Sequence, residues 1–150
     1  MPCRMKVPAV AFLLGAGLAC DAGRHTTAGF RLPPDGDSER GQAAFVQFGC
    51  SRCHQVVGAD LPQPTVQPPV PVALGGEVSN RYSDAYLVTK IVYPSYQLAS
   101  YPRDQITASG KSRMPHDYAA TMTVRQLTDI VAFLQSRYTV RVMQPQYYFR

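Results

Sequence analysis

Cys50-Ser51-Arg52-Cys53-His54 is the stretch on which the reading of this chain turns. Two thiols three residues apart lie on one face of a helical turn and can reach the two vinyl edges of a single porphyrin, while the next residue's imidazole points across toward the iron. C-x-x-C-H is the attachment sequence of a covalently held haem. Two other chemistries use a C-x-x-C pair. A structural zinc takes four ligands, yet beyond His54 the histidines are His25 and His116, and Cys53 and His54 are adjacent, an awkward pair for one tetrahedron. A thioredoxin-type redox pair needs a preceding strand and βαβ units, and neither pattern surrounds residue 50. The motif implies one haem c, with Cys50 and Cys53 as thioether attachments and His54 as the proximal iron ligand.

Outward from the motif, residues 38–48 predict a helix, with Asp37 or Ser38 as N-cap, Ala44, Phe45 and Phe48 as its apolar stripe and Gly49 as its stop. On the other side, Gly58 to Gly76 holds Pro62, Pro64, Pro68, Pro69 and Pro71. Proline lacks the donor and clashes with the preceding turn, so this is an extended loop. Ser83 can cap a helix in which Leu87, Val88, Ile91 and Val92 share a face and which Pro94 ends. Residues 95–117 are poor in apolar side chains and read as a wrapping loop. Thr123-Val124-Arg125-Gln126 is a capping box, and Val124, Leu127, Ile130, Val131, Leu134 and Tyr138 follow it at helical spacing, a stripe read as core packing.

A second axial ligand is sought among Met114, Met122 and Met143. Met114 precedes Pro115, which fixes the backbone behind a loop thioether, and is the expected distal ligand. Met122, just before the last helix, reads as a core filler. His116 is the alternative ligand, and His25 reads as solvated.

These residues together resemble the class I cytochrome c family across residues 37–138. The likeness is carried by Gly41 and Phe45, by Cys50, Cys53 and His54, by Ile91 with Pro94, by Met114-Pro115, and by Val131, Phe133 and Leu134. The resemblance implies an all-α class I cytochrome c fold of three to four helices around one covalently attached haem, here with a long proline-rich loop. It implies that Gly41 faces the terminal helix around Ile130 to Leu134, and that a carbonyl near Pro68 or Pro69 accepts the histidine's other N–H.

With His54 and Met114 on both axial positions the iron has no free site, so the expected role is one-electron transfer and not enzymatic catalysis. The reading is a mono-haem carrier in a periplasmic or membrane-associated respiratory or photosynthetic chain, with redox proteins as partners. Arg103, Lys111 and Arg113 form a basic cluster that would steer it to an acidic partner surface. The alternatives are the cytochrome subunit of an oxidoreductase complex and a catalytic or gas-binding haem with a displaceable sixth ligand.

The N-terminus bears on location. Arg4 and Lys6 precede an apolar run from Val7 to Leu18, so residues 1–19 read as an export signal, too short to span a bilayer comfortably. Gly17-Leu18-Ala19-Cys20 resembles a lipoprotein processing site, with Gly17 where that pattern has leucine, and makes Cys20 the expected lipidation site. A plain cleaved signal and an uncleaved anchor are the alternatives. Residues 20–36 read as a flexible tether, 37–138 as the cytochrome domain and 139–150, with Tyr147, Tyr148 and Phe149, as an aromatic tail. The chain is thus expected on the periplasmic side of a bacterial membrane, lipid-anchored or soluble. Of 15 basic and 10 acidic residues the signal takes two basic ones. The remaining bias is too small for a nucleic-acid binder.

Overall fold

Asp37 stands one residue before a run of good helix formers, and its carboxylate accepts the Arg40 backbone N–H, which starts α1 (Ser38–Gln47). In this computed structural model residues 31–141 are described, apart from Pro68 and Pro71. The expected export signal, Cys20, His25, Met143 and residues 142–150 of the expected tail lie outside the described residues. Helix α1 gives way at Phe48 to Gly49, whose φ of 72° is left-handed backbone that suits glycine.

The terminal helix α5 (Val124–Ser136) opens with both halves of the expected capping box between Thr123 and Gln126. It crosses α1 at Gly41, where a Cβ would stand 1.9 Å from the Asp129 carbonyl oxygen and 2.8 Å from the Phe133 Cβ. One turn on, Phe45 and Phe133 meet edge to face with ring centroids 5.6 Å apart. The Asp129 carboxylate, only 3 % exposed, accepts from the Asp37 backbone N–H at 2.9 Å and from Arg40 Nε and Nη2 at 2.9 and 3.1 Å. A buried charge needs such partners, and these hold its carboxyl below the usual carboxylate range.

Helix α2 (Asp84–Val92) is capped by the Ser83 hydroxyl and sends Leu87 into the shared core. Gln135 Nε2 ties α5 to its start through the Tyr82 carbonyl at 2.7 Å and Asp84 Oδ1 at 3.0 Å. Around Ile130 and Phe133, both fully buried, the core gathers Ala44, Phe45, Val56, Leu87, Val131, Leu134 and Tyr138.

The helical fold expected from the sequence carries additions. Residues 95–117 are not all loop: they hold a one-turn helix α3 (Arg103–Ile106) and a hairpin of β2 (Thr107–Ala108) and β3 (Lys111–Ser112). Ser109 and Gly110 both take positive φ there, the geometry of a tight two-residue hairpin turn. A further one-turn helix, α4 (Tyr118–Thr121), precedes α5, making five helices among the described residues in place of three to four. Helix α5 stops at Ser136, before Tyr138. Residues 138–140 instead form β4 (Tyr138–Val140), parallel to β1 (Gly76–Val78), because the Arg137 carbonyl accepts the Gly76 N–H at 2.8 Å and draws the chain out of the helix. The expected tether also ends before Gly36. Leu32 packs on the core, Asp35 pairs with Arg125 at 2.8 Å, and a Cβ on Gly36 would lie 2.8 Å from Ala132 Cβ.

Replacing Gly41 with alanine should cost about 3 kcal/mol by forcing the helices apart, whereas Ala43→Gly on the exposed face of α1 should cost about 1 kcal/mol from helix propensity alone. Denaturant midpoints of the two variants measure the difference.

Asp129 also sets an acid limit. Its carboxyl titrates lower folded than unfolded, so its contribution is complete above the unfolded value of about 4. Stability is lost as pH falls through the folded value, where the native state takes up its proton. Asp129→Asn should be less stable at neutral pH and show a shallower loss below pH ~4, read by thermal melts across a pH series.

Candidate haem-attachment site

Helix α1 hands the chain directly to the cysteines. After Gly49 the backbone tightens into a 3-10 turn, Cys50–Arg52, with the Cys53 and His54 N–H groups both donating to the Cys50 carbonyl, at 3.2 and 3.0 Å. Side chains three apart eclipse in such a turn, so Cys50 and Cys53 share a side. Both thiols are free and half-buried. Cys50 leans on the core, and burial pushes its thiol up to about 11 against the opposing effect of the Tyr118 hydroxyl.

His54 is half-buried, and its Nδ1 lies 3.1 Å from the Val72 carbonyl oxygen. A carbonyl can only accept, so Nδ1 carries the proton and Nε2 is left with its lone pair for a metal. The acceptor belongs to the proline-rich loop as expected, but it is Val72 and not Pro69; Pro68 lies outside the described residues. Proline has a carbonyl as good as any other, so its position in the sequence marks the loop and not the acceptor.

Met114 is half-buried in the loop after β3. Its backbone N–H donates to Ser112 Oγ at 3.2 Å, and the Ser112 N–H donates to Ser95 Oγ at 2.9 Å, which links the methionine loop to the end of α2. Arg113 is a brace: its Nε and Nη2 donate to the Gln105 and Asp104 carbonyls at 3.1 and 3.2 Å, closing the last turn of α3. Of the expected basic cluster, Arg103 and Lys111 remain exposed without such a duty. His116 Nε2 rests 3.0 Å from the Ser112 carbonyl and is exposed, while Met122 packs against the core as expected of a filler.

Tyr118 is the residue that sequence reasoning missed. It is 7 % exposed, its hydroxyl donates to the Phe48 carbonyl at 3.1 Å, and its ring meets Phe48 edge to face. The same hydroxyl lies beside Cys50, and burial first, then that neighbour, raises its ionisation above the usual tyrosine value. Four residues after Met114, it bonds the methionine side of the domain to the cysteine turn. Its signal was an aromatic in a stretch otherwise polar.

The donor set fits a covalent haem: two free thiols on one side of a turn and an imidazole with one nitrogen tied and the other open. It does not fit a zinc cluster, since no group of three or more His, Cys, Asp or Glu is gathered among the described residues. Comparison with known families gives the same result, because the cytochrome c family matches residues 38–137. No curated protein and no solved structure matches the chain.

Proposed function

The chain belongs to the cytochrome c family, whose members hold haem c covalently, and we propose that it is a class I mono-haem electron carrier with Cys50 and Cys53 as the thioether attachments and His54 and Met114 as the axial ligands. The observation that carries the ligand assignment is the contact between His54 Nδ1 and the Val72 carbonyl, which leaves Nε2 for the iron and makes the imidazole a better donor. When bound, the haem supplies an iron that cycles between ferric and ferrous states. The protein's part is to fill both axial positions, so that no substrate enters, and to set the potential. A thioether favours the reduced iron and raises the potential relative to other axial sets. The Met114 loop suits this task, since Ser112, Ser95 and the Arg113 brace hold the backbone that leads into it.

The carrier works, in this reading, on the periplasmic side of a bacterial membrane, held by acylated Cys20 and exchanging electrons with membrane-associated redox proteins. Support comes from the signal-like residues 1–19 and the small residues before Cys20. No helix of the described residues is long and apolar enough to cross a membrane.

In the parent, the reduced spectrum should be unchanged by carbon monoxide and the oxidised protein should show the weak sulfur-to-iron absorption of Met/His haem. Met114→Ala should lose that band, bind carbon monoxide and fall in potential, while Met122→Ala keeps all three parental properties. The reverse pattern would move the ligand to Met122, and a parent that binds carbon monoxide would exclude the carrier.

Cell fractionation checks the anchor: the parent should sediment with membranes and carry an acyl mass, and Cys20→Ser should appear in the soluble fraction. Equal membrane retention of both, with no acyl mass on the parent, would refute lipidation.

A further inference from the structure

We propose that Arg137 and Tyr138, at the junction of α5 and β4, are positioning residues for His54, because they hold the segment whose Val72 carbonyl receives the ligand's Nδ1–H. The inference rests on the assignment of His54 as ligand.

The Val72 carbonyl stands at the end of a loop that has few means of fixing itself. Its prolines carry no N–H, and among the described residues the backbone of 60–73 donates one hydrogen bond to other backbone, from Val66 N–H to the Arg52 carbonyl at 3.0 Å. Order enters from downstream. Leu74 N–H donates to the Gln55 carbonyl and Val57 N–H to the Leu74 carbonyl, both at 2.8 Å, so Leu74 is laced to the residues immediately after His54. Only Ala73 then separates the laced position from the residue whose carbonyl orients the ring.

That lacing is backed by the end of α5. The Gly76 N–H donates to the Arg137 carbonyl at 2.8 Å, and Arg137 Nη1 donates to the Gly58 carbonyl at 2.7 Å, so one residue grips both chains of the Val56 to Leu74 bridge. Its guanidinium lies 5.3 Å over the Phe133 ring, which ties the grip to the core at the α1 crossing. The fit is tight: Gly75 has a φ of 80°, and a Cβ there would come within 3.0 Å of Arg137 Cβ. Tyr138 is buried, pairs with Gly76 in the strand register and meets the Tyr82 ring edge to face. Farther out, Arg141 N–H reaches the Val78 carbonyl at 3.0 Å and its Nε pairs with Glu77 at 2.6 Å, but both side chains of that pair are exposed and it adds little.

A strand that only tidied the terminus would need no contact with Gly58 or Gly75. These contacts close on the two stretches that flank the histidine and its acceptor. Losing them loosens the Val72 carbonyl before it unfolds the domain, because the α1 and α5 crossing is built from other residues.

The experiment measures exchange of the His54 ring N–H by NMR in the reduced, haem-bearing protein. Arg137→Ala should speed exchange roughly tenfold, the factor expected for one hydrogen bond weakened by about 1.4 kcal/mol. Thioether attachment and the sulfur-to-iron band should be retained. Arg137→Lys, which keeps a donor for the Gly58 carbonyl, should exchange like the parent. Val131→Ala serves as the control for general destabilisation, since it opens a core cavity elsewhere. Parental exchange in Arg137→Ala, or equal acceleration in Val131→Ala, overturns the positioning role. A His54→Ala protein with the parental spectrum overturns the ligand assignment beneath it, and is a separate result.

Discussion

Helices α1 and α5 meet at Gly41 with no room for a methyl group, and everything that concerns the haem site is hung from that crossing. Its closeness brings the Phe45 and Phe133 rings together and lets the Asp129 carboxylate reach both the N-cap backbone and the Arg40 guanidinium. One end of each helix then becomes a fixed point. Seven residues past Gly41 the chain leaves α1 at Phe48 and enters the cysteine turn. Four residues past Phe133 it leaves α5 at Arg137 and enters β4. The cysteine turn and the backing of the histidine loop therefore take their positions from one contact.

Covalent attachment suits a domain built this way. The protein core is concentrated at the crossing; of the segments that complete the site, the proline-rich loop packs on it through Ala59, Leu61 and Leu74, while the stretch from Ser95 to Met114 is held by hydrogen bonds such as those of Ser95, Ser112 and Arg113. In small domains burial of apolar surface is limited by size. A large, flat apolar group fixed by two bonds adds buried surface without the risk of dissociation. Tyr118 shows how the polypeptide prepares for this: its hydroxyl and ring tie α4 to Phe48, so the methionine side of the domain and the cysteine turn are joined through protein.

What was legible in the sequence was local. Asp37, Ser83 and the Thr123 and Gln126 pair announce their helices because capping is a matter of three or four successive residues. Cys50, Cys53 and His54 announce the haem because the chemistry demands that spacing. Gly41 could be matched to α5 only through family resemblance, since a missing side chain says nothing of what takes its place. Strands of three residues paired in parallel across 62 positions leave no period to detect, and Tyr138 followed the helical stripe so well that the end of α5 at Ser136 was hidden. The Val72 carbonyl and the Arg113 brace were illegible for a common reason: one partner in each contact is a backbone group that every residue possesses.

A carrier that makes and breaks no substrate bond is limited by how much its ligands rearrange when the iron changes charge. With His54 and Met114 as the proposed ligands, this chain offers two routes to small rearrangement, and they differ in kind. On the methionine side the backbone is stiffened locally, by a two-residue hairpin turn, by Pro115 and by an arginine spent on neighbouring carbonyls. On the histidine side the loop is rich in proline and supplies few donors of its own, so stiffness has to be borrowed from a distant part of the sequence. The parallel pairing of β1 with β4 is the form that borrowing takes. A proline-rich loop with so few donors of its own is steadied by an outside strand, and the residues that leave α5 provide it.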